Sequence, residues 1–409
     1  MQFSKSKMQN ECQTCAPAIG FPVLRFAFCI FLAIFAPMNP FRVTVKVGSN
    51  VLTRADGTLD VTRMSAIVDQ VAALHRAGVQ VILVSSGAVA SGRSELSGRT
   101  ATTGRLDAVS QRQLFSAVGQ AKLINKYYEL FRDHRIACGQ VLTTKESLST
   151  RSHYLHQKNC METMLAEGVI PVVNENDTIS VEELMFTDND ELSGLLATMM
   201  GARLLVLLSN IDGIYTGAPS DPASRLIPVI ADDADISDFI QVNRSSFGRG
   251  GMVTKHRIAR KVAGEGIEVI IANGRRDGIL CSLVRPDAAT GLNTPDPACP
   301  CTRFQPDQRQ ASSVKMWIAH SEAFSKGALR LNDGAVAAVA GQRAASILPV
   351  GVTAVEGDFE AGDIVRILAT DGSQLGVGRI DTDSATARAL VGQKGQKPLV
   401  HYDYLVLEG

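Results

Sequence analysis

Lys46 lies inside an apolar run, FRVTVKV (41–47), directly ahead of Gly48-Ser49. An ammonium in such a strand is costly to bury unless it reaches a partner. A second lysine, Lys255, closes FGRGGMVTK (247–255) at what reads as the first turn of a helix. Gly248, Gly250 and Gly251 ahead of it let the backbone approach a ligand, and their N–H groups can form an anion nest. SSGAVASG (85–92) ends a strand in glycine and opens a helix, a place that receives a phosphate or a carboxylate. VVNENDTIS (172–180) follows an apolar run and packs Asn174, Glu175, Asn176, Asp177 and Thr178 together. The chemistry common to these residue types is the handling of anions. Taken singly, each also reads as something ordinary: an edge lysine, a surface turn, a tight strand-to-helix turn, an Asp cap. No G-x-x-x-x-G-K-[ST] is present and no G-x-G-x-x-G follows the first strand, which excludes an ordinary P-loop and argues against a dinucleotide.

The elements that must position these groups are legible as alternating strands and helices. FRVTVKV, VQVILV, GVIPVV, ARLLVLL and IEVIIA are short aliphatic runs, each ending in small or polar residues. They are continuous and not alternating, as in strands of a parallel sheet covered on both faces. Asp60 to Ala77 places Val61, Met64, Ile67, Val68, Val71 and Leu74 on one helical stripe, from a capping Asp60 to Gly78. QRQLFSAVGQAKLINKYYELFRDH and NCMETMLAEG carry the same spacing, and DNDELSGLLATMMGA starts with acidic groups suited to a helix N-terminus. The expected fold class is α/β, a three-layer αβα sandwich around a mostly parallel sheet. In open parallel sheets ligands sit beyond the carboxyl ends of the strands, where every polar cluster above falls. Composition breaks near residue 285 into a Pro-, Ser- and Gln-rich stretch that reads as a linker, and short β-like runs follow. The expected organisation is 1–40 an extension outside the fold, 41–284 the α/β domain, 285–313 a linker, and 314–409 a small β-rich domain.

At 409 residues, 45% hydrophobic and 20% charged, the chain has the composition of a soluble globular protein long enough for two domains. Lys plus Arg and Asp plus Glu both count 41, so no global field recruits nucleic acid or an anionic membrane. The eight cysteines do not form a disulfide pattern: Cys138, Cys160 and Cys281 read as buried thiols, and Cys12-x-x-Cys15 and Cys299-Pro-Cys301 lack matching zinc ligands. No metal ligands are assigned. A reduced, cytoplasmic protein is expected. RFAFCIFLAIFAPM (25–38) is too short for a confident membrane span and lacks a cleavage site. It suggests a start assigned upstream of Met38, with an export signal as the alternative.

Six motifs in order, Lys46-Val-Gly48-Ser49, Ser85-Ser86-Gly87-Ala88, VIPVVNEND, FTDNDELS, DGIYT and GGMVTK, resemble the bacterial glutamate 5-kinases of the amino-acid kinase superfamily over roughly residues 42–280, with RQLFSAVGQ a further match. The C-terminal segment resembles a PUA domain, a small β-barrel. The resemblance implies the amino-acid kinase fold and ATP-dependent phosphorylation of the side-chain carboxylate of L-glutamate, the first step of proline synthesis. It implies Mg²⁺ with the nucleotide, proline as a feedback inhibitor and a homo-oligomer. The chemistry of phosphoryl transfer makes Lys46, Lys255 and Asp190 the catalytic residues, the lysines flanking the transferred group and Asp190 orienting them. By resemblance, Lys46, Ser209, Asn210 and the stretch Arg249, Gly250, Gly251, Met252, Val253, Thr254, Lys255 bind nucleotide, while Ser86, Asp177 and Asn189 bind glutamate. Asn210 stands where the family usually has Asp, and Arg249 where it often has a small residue. Other readings are another carboxylate or carbamate kinase, a degenerate kinase, or an RNA-binding protein. Residues 315–409 hold nine Lys and Arg against eleven Asp and Glu (9 − 11 = −2), which argues against an RNA-binding face.

Overall fold

The computed structural model describes residues 40–97, 106–145, 148, 151–179, 189–231, 251–307, 318, 325–341 and 345–407. The segment 1–39, for which the sequence suggests an upstream start or an export signal, lies outside the described residues. So do Arg249 and Gly250.

The strands of the main sheet are β1 (Arg42–Val47), β2 (Gln80–Ser85), β3 (Cys138–Thr143), β4 (Ile170–Glu175), β5 (Leu204–Ser209), β6 (Val229–Ile230), β7 (Glu268–Asn273) and β8 (Cys301–Phe304). They run in the order β3-β4-β2-β1-β5-β7-β8-β6. Every neighbouring pair is parallel except β7 and β8. The helices of this part are α1 (Ser49–Leu52), α2 (Val61–Arg76), α3 (Ala88–Glu95), α4 (Ala108–Asp133), α5 (Arg151–Ala166), α6 (Asn189–Met199), α7 (Met252–Gly264) and α8 (Ile279–Leu283).

Strand alternation sorts the core into two layers. Val43, Val45 and Val47 of β1, with Val81 and Leu83 of β2 and Leu204, Val206 and Leu208 of β5, face Met64, Ile67 and Val71 of α2 and Tyr127 and Phe131 of α4. The opposite face places Ile82 and Val84 against Leu192 and Leu196 of α6. Further along it sets Leu205 and Leu207 against Ile258 and Val262 of α7. Helix, sheet, helix is the expected sandwich. Because side chains alternate along a strand, Lys46 points to the α6 side while its neighbours Val45 and Val47 feed the other core. The α2 cap holds as read, with Asp60 Oδ1 accepting from Arg63 N at 3.1 Å, although Val61 at its start is exposed.

Two stretches differ from their composition. Cys301–Phe304, inside the segment read as a linker, is a strand of the main sheet, paired antiparallel with β7 from Val269↔Phe304 to Ala272↔Cys301. Thr302 fixes it further: its hydroxyl accepts from Ile214 N at 2.8 Å and donates to Ile227 O at 2.7 Å. Cys160 and Cys281, read as buried thiols, are exposed, and Cys138 is half-buried.

The C-terminal part is a five-stranded sheet in the order β10-β9-β11-β12-β13, built from β9 (Gly327–Leu331), β10 (Val352–Gly357), β11 (Ile364–Leu368), β12 (Gln374–Arg379) and β13 (Leu405–Leu407), with helices α9 (Asp333–Ala340) and α10 (Ser384–Leu390). It has a core of its own around Leu329, Val365, Ile367 and Leu399. Its opposite side is apolar too: Ile364 and Val377 join Met161 and Leu165 of α5 and Leu195 and Met199 of α6 in one cluster. The second sheet therefore shares one apolar cluster with α5 and α6.

Candidate active site

The carboxyl ends of β1, β2, β4 and β5 form the rim, and helices α1, α3, α6 and α7 start at it. Lys46, one step before the end of β1, is 5% exposed, and its Nζ stands 2.6 Å from Asp190 Oδ1. Asp190, second residue of α6, is fully buried, and its Oδ2 accepts from Lys255 Nζ at 2.9 Å. Lys255, in the first turn of α7, is 8% exposed. Burial by itself would push the Asp190 carboxyl up, but the charges and hydrogen bonds of Lys46 and Lys255 hold it below the ordinary carboxylate value. The triad carries two positive charges against one negative, a net cation at the strand ends. Its geometry depends on how closely α6 and α7 pack: a Cβ on Gly194 would lie 2.9 Å from Ile258 Cγ2 and 3.0 Å from Val262 Cγ2.

A second cluster is made of neutral groups. Asn189 Nδ2 donates to Ser86 Oγ at 2.9 Å and to Asn174 Oδ1 at 3.0 Å, and Asn174 Nδ2 donates to Gln120 Oε1 at 2.8 Å. Gly87, with φ at 108°, makes the sharp turn that lets Ser86 end one element and α3 start the next. Beneath Ser86, Ser85 Oγ shares a hydrogen bond of 2.9 Å with the buried Tyr127 hydroxyl, and burial pushes that phenol up from its ordinary value. Tyr127→Phe should lower the unfolding free energy by about 1 kcal/mol, the net worth of a buried hydrogen bond, as read from urea denaturation.

Asp177 is ion-paired by a residue that sequence reasoning did not single out. Arg112 Nε and Nη2 donate to Asp177 Oδ1 at 2.9 and 2.5 Å, and Ser116 Oγ donates to Oδ2 at 3.4 Å. The signal was available, since Arg112 opens the RQLFSAVGQ stretch and Ser116 and Gln120 follow at four-residue steps.

Ser209 and Asn210 leave β5 beside Gly48, whose N–H donates to Leu208 O at 3.2 Å. Ser209 O accepts from Gly274 N at 2.8 Å, and Ser209 Oγ and Asn210 Oδ1 lie 3.4 Å apart. Two residues on, Asp212 is gripped by Arg276, with Nε to Oδ1 at 2.6 Å and Nη2 to Oδ2 at 2.7 Å. These hydrogen bonds hold its carboxylate below the ordinary range. Gly251 caps α7, accepting from Lys255 N at 3.2 Å, and Met252, Val253 and Thr254 make up its first turn. The expected residues that the structure describes thus fall into one charged triad, one polar array from Ser86 through Asn189, the Asp177–Arg112 pair, the strand-end loop of Ser209 and Asn210, and the first turn of α7.

A parallel α/β sandwich with a buried Lys–Asp–Lys triad at its strand ends has the construction of an enzyme that manages anionic groups. The description Amino acid kinase family matches residues 42–273, and PUA domain matches 327–402. The chain is 64% identical to a glutamate 5-kinase of Bacteroides thetaiotaomicron, covering 90% of this chain and 98% of that one. It is 44% identical to one of Chlorobaculum tepidum and 36% to one of Geobacter sulfurreducens, each over 90% of this chain and 97% of the relative. The chain belongs to the glutamate 5-kinases of the amino acid kinase family.

Proposed function

We propose that the chain transfers the γ-phosphoryl group of ATP to the side-chain carboxylate of L-glutamate, giving L-glutamyl 5-phosphate, the first step of proline synthesis from glutamate. The observation that carries the reading of the site is the triad of Lys46, Asp190 and Lys255. A carboxylate oxygen attacks the γ-phosphorus, a P–O bond forms, the bond to the β-phosphate oxygen breaks, and ADP leaves. The nucleophile is ionised at neutral pH, so no proton has to be removed. The obstacle is the approach of two anions, and phosphoryl transfer is served chiefly by positioning and charge neutralisation. Lys46 and Lys255 are the cations for that task. Asp190, with both oxygens facing ammonium groups, positions them and does not act as a base.

The N-terminus of α7, from Gly251 through Met252, Val253 and Thr254, offers backbone N–H groups to a phosphate, and Ser209 and Asn210 complete the nucleotide side. Arg249 and Gly250 are assigned to the same side from the sequence alone. Ser86 and Asn189 face the glutamate, and Asp177 takes its α-ammonium. Among the described residues no group of three or more His, Cys, Asp or Glu is placed to hold a metal. Mg²⁺ would be held by the triphosphate oxygens, keeping much of its water and adding neutralising charge. No helix among the described residues is long and apolar enough to cross a membrane, and a cytoplasmic location suits the use of ATP. Inhibition by proline and a homo-oligomeric state belong to the same proposal by resemblance, and the net charge of −2 over residues 315–409 favours a regulatory or oligomer-stabilising role over RNA binding for the PUA domain.

The test is hydroxylamine trapping with ATP, Mg²⁺ and L-glutamate. The full chain should yield glutamyl hydroxamate, and Lys255→Ala should reduce its rate by at least about 10²-fold, the usual cost of one transition-state charge contact. A folded, ATP-binding parent that forms no hydroxamate would sink the assignment.

A further inference from the structure

Arg112 stands at the acidic end of β4, and the catalytic scheme gives it no task. It shares one face of α4 with Ser116 and Gln120, at four-residue spacing. This row meets the β4 rim along its length: Gln120 at Asn174, Ser116 at Asp177, and Arg112 at Asp177, with its Nη2 3.7 Å from Glu175 Oε2. Both short bonds from Arg112 go to one oxygen, Asp177 Oδ1, and use Nε–H and one Nη2–H. A guanidinium has five N–H donors in a fixed plane. The edge left over, between Nη1 and Nη2, is the one that receives a carboxylate in two parallel bonds. Among the described residues Nη1 has no hydrogen-bond acceptor. The side chain is 26% exposed, so it is not sealed from solvent.

We infer that Arg112 receives the α-carboxylate of the substrate while Asp177 receives its α-ammonium, the two forming a clamp for the zwitterionic end of the amino acid. The inference rests on the reading of this site as a glutamate kinase. An α-amino acid carries opposite charges on one carbon, and Arg112 with Asp177 is the matching pair of opposite charges. Asp177 and Glu175 set two carboxylates against one guanidinium, so the site is net negative: a dicarboxylate without an ammonium group is repelled there, whereas a zwitterion brings an ammonium that offsets that charge. The clamp therefore supplies selectivity at the end of the substrate that does not react, and it leaves the side-chain carboxylate free to face the lysines.

The experiment compares L-glutamate with L-isoglutamine, which keeps the reacting carboxylate but carries an amide in place of the α-carboxylate, in the hydroxamate assay. The parent should favour glutamate in kcat/KM by on the order of 10- to 100-fold, the worth of a charge-assisted bidentate contact. Arg112→Gln should lose that preference through a higher KM for glutamate, with the KM for ATP unchanged, and Arg112→Lys should keep part of it. If Arg112 serves only to hold Asp177, Arg112→Gln lowers both substrates by one factor and the preference persists, which overturns the inference. Should Arg112→Gln fail to fold, the same ratio is read in Arg112→Lys, where an unchanged preference overturns it equally. A parent that forms no product from glutamate overturns the kinase reading itself, and the clamp falls with it.

Discussion

Asp190→Asn should leave an enzyme with kcat lowered by roughly 10²- to 10³-fold and a fold less stable by about 3–5 kcal/mol, the cost of leaving buried charge uncompensated. The substitution keeps the shape of the side chain and removes its charge. Two ammonium groups, 2.6 and 2.9 Å from it, then share a buried site with no counter-charge. Like charge and desolvation both favour the neutral amine, so one lysine gives up its proton more readily. The variant should therefore recover part of its stability as pH rises and a lysine deprotonates. In the parent stability also rises with pH, but through the carboxyl and in the acid range. The folded-state carboxyl lies below its ordinary value of 3.8, so its contribution is present above that pH and is lost as pH falls through the folded value. Thermal melts of both proteins across pH, with kcat measured alongside, check the claim. If kcat fell while stability stayed at the parent level at every pH, Asp190 would not be the anchor of the lysines.

Much of this site was readable because its chemistry is local to strand ends. Lys46 before Gly48, Ser86 before Gly87 and Asn174 after an apolar run each announce an interruption in a buried strand, and all three lie on the rim. Arg112 was not read because it sits in an amphipathic helix, far in sequence from the strand end it meets. A polar face on a helix looks solvent-exposed until the partner strand is known, and here Ser116 and Gln120 are buried against β4. The edge strand β3 escaped for a related reason. Gln140 and Leu142 are exposed while Val141 and Thr143 are buried, so no continuous apolar run marks it. β8 is only four residues long and lies among prolines, and antiparallel pairing with β7 makes it a strand. The packing of the PUA sheet was also beyond reach. DELSGLLATMM reads simply as a buried helix, and nothing in it says that Leu195 and Met199 share an apolar cluster with Ile364 and Val377 of another sheet.

Gly119→Ala should destabilise the chain by about 3 kcal/mol, the upper end of the cost of overpacking, although the same change at an open helical position is mildly stabilising. The reason is the crossing of α3 and α4. A Cβ at Gly119 would lie 1.8 Å from Ala88 O and 2.5 Å from Gly92 N, and a Cβ at Gly92 would lie 1.8 Å from Phe115 O. Both obstacles are backbone, which has no rotamer with which to yield, so the helices must separate. That motion carries function with it. α4 brings Arg112, Ser116 and Gln120 to the β4 rim, and α3 begins directly after Ser86 and Gly87. Gly119→Ala should therefore raise the KM for glutamate more than the KM for ATP, whose proposed contacts lie at the ends of β1 and β5 and on α7. Gly264→Ala is the control, since nothing lies within 4 Å of a Cβ there and α7 ends at that residue. It should be neutral or stabilising by up to about 1 kcal/mol, through the lower entropy of the unfolded chain. Urea denaturation of both variants with steady-state kinetics decides the matter: a Gly119→Ala protein as stable as the Gly264→Ala control, with an unchanged KM for glutamate, would mean that the helix crossing does not set the substrate rim.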